Sequence, residues 1–173
     1  VEYEYRQESN FYYLSGFEEP ESILLLTPTA NRYKYVMFTR STDGGSTWSA
    51  PLRLNDDATN QNAYHWFGTL AVAPNGRIDA CWNDTRNRTN NSFSELYYTW
   101  SDDGGLTWSP NRALSPPFNH SLGYPQQNKM GDYIGMVSLN EGACIAYTAT
   151  FNGEQDIYYV RAELPIKAAI TRV

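Results

Sequence analysis

STDGGSTW (Ser41–Trp48) returns as SDDGGLTW (Ser101–Trp108), 60 positions later. Each copy follows an aromatic-rich, strand-like run and precedes a short segment with Ser and Pro. An Asp immediately before two glycines can accept hydrogen bonds from amides one or two residues on. The glycines admit positive φ where a side chain would clash. The octet therefore reads as a hairpin lock. Asp43 and Asp103 are the acceptors, Thr47 and Thr107 can add a hydroxyl bond across the loop, and Ser41 and Ser101 open the two octets. Gly44, Gly45, Gly104 and Gly105 supply the bend, and Trp48 and Trp108 fold onto the sheet, each leaving its indole N–H a polar exit. Neither copy has the ligand spacing or the closing Glu of a calcium-binding loop, so no metal is expected there.

Outward from the octets the chain consists of short apolar runs bounded by Gly, Pro or Asn. Among them are NFYYLSG (10–16), SILLLTP (22–28), YKYVMFTR (33–40), APLRL (50–54), FGTLAVAP (67–74) and RIDACWND (77–84). ELYYTWS (95–101), NRALS (111–115), DYIGMVSL (132–139), GACIAYTAT (142–150) and DIYYVRAEL (156–164) continue the series. Helical periodicity is nearly absent, and these are strand signals. The tail PIKAAITRV reads equally as a last strand or a short helix. The runs also repeat. LAVAPNGRIDACWNDTR (70–86) lies without a gap over GMVSLNEGACIAYTATF (135–151) at an offset of 65, and SELYYTW (94–100) over QDIYYVR (155–161) at 61. A unit of about 60 residues with four short strands predicts an all-β fold of three propeller-like blades of antiparallel strands, half of a six-bladed propeller. An irregular β-sandwich is the alternative.

Bulk properties narrow the function classes. A chain of 173 residues, 41% hydrophobic, can bury a sizeable core. Its net charge of -6, without any Lys/Arg cluster, argues against nucleic acid as a partner. No apolar run is long enough for a membrane-spanning helix, so no membrane partner is expected. Cys81 and Cys144 form no CxxC pair; two buried thiols are expected, with a long-range disulfide as the alternative. The first residues, VEYEYRQESN, carry neither Met nor a signal-like core, as in a processed or excised chain. Asn83, Asn87, Asn90 and Asn119 head N-x-S/T sequons, which matter only in a host that glycosylates.

The octets resemble the Asp-box, or BNR repeat, of sialidases and related six- or seven-bladed β-propellers, and the resemblance extends from about Tyr33 to Leu164. It implies an Asp-box propeller-like region at 33–173 and an extracellular or periplasmic location. YRQESNFYYLSGFEEPESILLL (5–26) instead resembles the N-terminal domain of Xaa-Pro aminopeptidases. A segment 1–32 of that ancestry is expected to contribute strands to the first blade, making the chain a chimera of two ancestries. In that family the metal ligands lie in a separate C-terminal domain, which nothing after Arg40 resembles, so peptidase activity and a cofactor are not expected.

A sialidase-type site needs an arginine cluster, an acidic Asp and a Tyr activated by Glu. The candidates here are Arg77, Asp79, Asp84, Arg86, Asp132 and Tyr133, with Glu154 and Tyr147 beyond them. Asp84 and Arg86 can instead pair at a strand end, and no arginine triad can be assigned. The sequence thus favours a non-catalytic, self-associating propeller scaffold; a sialidase-like glycosidase or a glycan-binding module is the alternative. Three blades leave open faces, and covering them could bury on the order of 1,000 Å² at about 25 cal/mol per Å² of apolar area. A homo-oligomer, most simply a dimer, closes them.

Overall fold

The computed structural model describes residues 22–29, 32–59, 62–87, 92–122, 130 and 133–164, and all regular structure in them is β. Strands β1 (Ser22–Thr29), β2 (Arg32–Arg40) and β3 (Leu52–Arg53) form a first sheet in that order. A second sheet orders β4 (His65–Val72), β5 (Ile78–Asp84), β6 (Phe93–Ser101) and β7 (Arg112–Ala113), with β8 (Phe118–Asn119) also on β6. The third runs β9 (Gly135–Leu139), β10 (Gly142–Ala149) and β11 (Asp156–Glu163). Every pairing is antiparallel. Among the described residues the result is three propeller-like sheets that do not close into a barrel.

The internal repeat holds in the strand registers. Cys81 faces Tyr98 across β5 and β6, and Ala146 faces Tyr159 across β10 and β11. These are the same pair carried by the two sequence offsets. The repeat also holds at the octets. Ser49 N–H donates to Arg40 O and Ser109 N–H to Trp100 O, both at 2.8 Å.

Sheets stack face to face through β5, whose seven residues are all buried. Ile78, Ala80 and Trp82 join Val36 and Phe38 of the first sheet in one core. Cys81 on the other face joins Tyr98, Ile145 and Tyr147 in a second core between the second and third sheets. A strand covered on both faces cannot keep the apolar–polar alternation of an outer strand, which is why IDACWND reads as a mixed run. Trp82 is fully buried, and truncating such a side chain to Ala typically costs about 3–5 kcal/mol.

Three local departures from the strand runs have physical causes. The runs at 50–54 and 111–115 pair over only two residues, because side chains take over the ladder beyond them. Asn55 Oδ1 accepts from Val36 N–H at 2.7 Å, and Ser115 Oγ from Leu96 N–H at 2.9 Å. Strand β4 starts at His65, earlier than the apolar run, and carries a bulge between Trp66 and Thr69 in which Phe67 adopts φ 53°. Strand β8 was not anticipated, since PPFNHS has no strand pattern of its own.

Registers fix two ends for the second sheet. Ile78 opposite Ser101 puts the β4–β5 turn at the octet end. His65 opposite Asp84, and Asp84 opposite Glu95, define the other end.

Candidate functional site

At the octet end both turns are closed by the same bonds. Thr47 N–H and Ser41 Oγ–H donate to Asp43 Oδ1, each at 2.8 Å, and Thr47 Oγ1–H donates to Oδ2 at 2.6 Å. Asp103 takes the same donors from Thr107 and Ser101, plus Leu106 N–H at 3.0 Å. Gly44 and Gly45 have φ of 70° and 85°, and Gly104 and Gly105 of 68° and 81°. The Thr hydroxyl, then the Thr amide, then the Ser hydroxyl lower each Asp to about 2. The two tryptophans differ. Trp48 is 40% exposed, whereas Trp108 packs edge-on against Phe38 at 5.0 Å, and its Nε1 is buried without a hydrogen-bond partner rather than given a polar exit.

The opposite end of the second sheet holds the densest charge cluster among the described residues. His65, at the start of β4, has no exposed side-chain area, and its Nε2 lies 3.2 Å from Asp57 Oδ1 and 3.1 Å from Asp84 Oδ2. Neither oxygen lies in the direction of a well-formed hydrogen bond, so the contact is chiefly electrostatic. Asp84 Oδ2 also accepts from Trp82 Nε1–H and Arg86 Nε–H, both at 2.9 Å. Asp57 Oδ1 takes Asn55 Nδ2–H at 2.6 Å and Arg53 at 3.1 Å. Arg86 continues outward to Asp56 and to Asn111 Oδ1, with its guanidinium 4.2 Å over the Tyr97 ring.

Burial opposes a charge on His65, but Asp57 and then Asp84 outweigh it and lift its pKa to about 9. Burial likewise works against both carboxylates, and His65 is the first of the partners that hold each below the usual range. Protonated His65, Arg53 and Arg86 then balance Asp56, Asp57 and Asp84.

The spacing of Asp57, His65 and Asp84 could frame a metal ion. The donor chemistry does not fit one. Arg86 Nη2 stands 2.8 Å from Asp84 Oδ2 and 3.6 Å from Asp57 Oδ1, so a guanidinium already occupies the cationic position. The cluster instead ties the exit of the first sheet to the second.

The structure separates the sequence candidates. Asp84 and Arg86 lie in this cluster, bonded to each other. Arg77 and Asp79 belong to the octet end: Asp79 lies five residues up β5 from Asp84, roughly 17 Å away at the usual rise per strand residue, and Arg77 directly precedes the strand. Arg77 grips Asp79 through two bonds of 2.9 Å and donates to Leu139 O at 2.6 Å and Asn140 O at 3.0 Å. Tyr98 O–H donates to Asp79 Oδ1 at 2.5 Å, and burial with the Asp79 charge pushes the Tyr98 pKa up. This group stitches the second sheet to the β9–β10 turn. Tyr133 is 87% exposed, Tyr147 lies in the core, and Glu154 is exposed in a turn. Asp132 lies outside the described residues. Both cysteines are free thiols, Cys81 buried and Cys144 half-buried. Asn83 is 2% exposed within β5, so its sequon is closed to a modifying enzyme in the folded state.

Sequence reading missed Asp57, His65 and a second polar chain at the same end. There Trp66 Nε1–H donates to Ser94 Oγ at 3.0 Å, Ser94 Oγ lies 2.9 Å from His120 Nδ1, and His120 Nε2 lies 2.5 Å from Tyr64 Oη. The one available signal was the scarcity of histidine, with His65 and His120 the only two in the chain.

Residues 1–88 match the family model described as aminopeptidase P, N-terminal domain, a span that takes in the first octet and ends just after β5. No curated protein matches the chain. Among solved structures, the NanB sialidase of Streptococcus pneumoniae is similar, at 15% identity and a TM-score of 0.39. The match covers 82% of this chain but only 23% of that one.

Proposed function

The chain belongs to the aminopeptidase P N-terminal domain family, and from that premise we propose that it acts as a non-catalytic β-sheet scaffold that self-associates. A contrast between the two kinds of surface carries this reading. Charged groups that chemistry would need are spent on one another: Arg77 on Asp79, Arg86 on Asp84, His65 between Asp57 and Asp84. Each of these groups is buried or half-buried against an opposite charge rather than turned toward a cleft where a substrate could meet it. The third sheet, by contrast, turns Val137, Ile157 and Tyr159 outward at 56%, 73% and 66% exposure. An apolar sheet face of that kind marks an interaction surface.

Light scattering on the purified chain across micromolar concentrations tests the reading, with a dimer expected. In parallel, a fluorogenic sialoside and a proline-containing tripeptide with manganese are offered as substrates, and no turnover is expected. A folded monomer at all concentrations refutes self-association. Turnover of the sialoside that disappears in Arg86→Ala, or metal-dependent release of the residue before Pro, refutes the non-catalytic part.

A further inference from the structure

The contact between the first and second sheets has a one-sided design that the repeat copies onto the open face of the third. Phe38 and Arg40 of β2 grip the second octet. The Phe38 ring lies edge-on to Trp108 and so close beneath Gly105 that a Cβ there would stand 2.3 Å from its Cε1. Arg40 Nη1–H donates to Gly104 O at 2.9 Å. One octet is thus held by an aromatic and an arginine two residues apart on the neighbouring sheet.

By the octet offset of 60, Phe38 and Arg40 correspond to Tyr98 and Trp100; by the offset of 61 these correspond to Tyr159 and Arg161. Strand registers agree with that correspondence, as Cys81 faces Tyr98 and Ala146 faces Tyr159. The orientation agrees too. Phe38 faces the second sheet and Tyr98 the third, so Tyr159 faces where a further sheet would stack. Tyr159 and Arg161 are both exposed, and Arg161 makes no hydrogen bond or ion pair among the described residues.

The first octet shows the reverse deficit. Gly44 has nothing within 4 Å of a built Cβ, where Gly104 has Arg40, and Gly45 meets only its own Trp48, where Gly105 meets Phe38. Trp48 is exposed, where Trp108 is half-buried against Phe38. We propose that Tyr159 and Arg161 of one copy seat the Gly44–Gly45 turn and Trp48 of a second copy, reproducing the Phe38–Arg40 contact between molecules. The proposal rests on the self-association argued above and supplies its contact. The interface is head-to-tail, since one surface is the third sheet and the other the first. Two such contacts under a two-fold axis close a dimer of six sheets.

The test is the dimer dissociation constant from sedimentation velocity for wild type, Tyr159→Asp, Arg161→Ala and Trp48→Asp. Leu106→Asp, on the exposed second octet, serves as control, and circular dichroism checks that every variant is folded. A charge in place of a central interface aromatic should raise the constant at least about tenfold, and the Arg161 change should raise it measurably. The control should leave it unchanged. Arg161→Ala alters an exposed side chain and keeps the test alive if Trp48→Asp disturbs its own turn. A wild-type dimer indifferent to both Tyr159→Asp and Arg161→Ala overturns the contact while self-association stands. A wild-type monomer overturns self-association itself.

Discussion

Replacing His65 with Gln probes the charge cluster at the non-octet end, and the structure sets the expected size. The imidazole is fully enclosed and stands within 3.2 Å of two carboxylate oxygens. Raising its pKa from 6.5 to about 9 corresponds to about 3 kcal/mol favouring the protonated folded state. A base raised in this way gives its full stabilisation below pH 6.5 and loses it as pH climbs through about 9. The lowered pKa values of Asp57 and Asp84 are the other half of the same interaction and are not added to it. Their contribution fades only below the ordinary carboxylate range. Arg86 stays charged across the window, and the raised Tyr97 stays neutral. Urea unfolding followed by tryptophan fluorescence at pH 6 to 9.5 should therefore show wild-type stability falling by about 3 kcal/mol. At pH 6 the Gln variant should be less stable by a similar amount, because two buried carboxylates are left facing each other, and it should lose little more as pH rises. An unchanged pH slope in His65→Gln, or equal stability at pH 6, refutes the reasoning.

Gly105→Ala should cost more than Gly45→Ala. Both put a side chain at positive φ, about 1 kcal/mol, but only Gly105 also drives a Cβ into Phe38, adding roughly 1–3 kcal/mol; equal midpoints in urea would count against the described sheet contact. Arg77→Met should destabilise by about 3–5 kcal/mol, since it strands a fully buried carboxylate at Asp79. Adding Asp79→Leu should recover much of that loss, and a single variant within 1 kcal/mol of wild type would show the pair to be dispensable. Asp43→Ala and Asp103→Ala should each lower the thermal midpoint, because each unmakes one octet's bonds; calorimetry showing no shift in either would remove the octets from the stability argument.

Strand positions and the three-sheet order follow from local sequence. Runs such as YKYVMFTR and DIYYVRAEL have little choice but to pair, and glycines with one preceding Asp define a turn by contacts within a few residues. A gapless repeat likewise fixes which strands correspond before any coordinates exist. The charge cluster was not legible in this way. Asp57 and His65 sit eight residues apart with nothing marking them as partners, and Asp84 is brought to them only by the β4–β5 register, bulge included. The same register sends Arg77 and Asp79 to the far end of β5 from Asp84 and Arg86, although the sequence sets all four within ten residues. Hydrophobic period and turn chemistry act over a few residues and are written in the chain itself. Which buried charges face one another depends on strand register and sheet stacking, and those are decided only when the sheets close on each other.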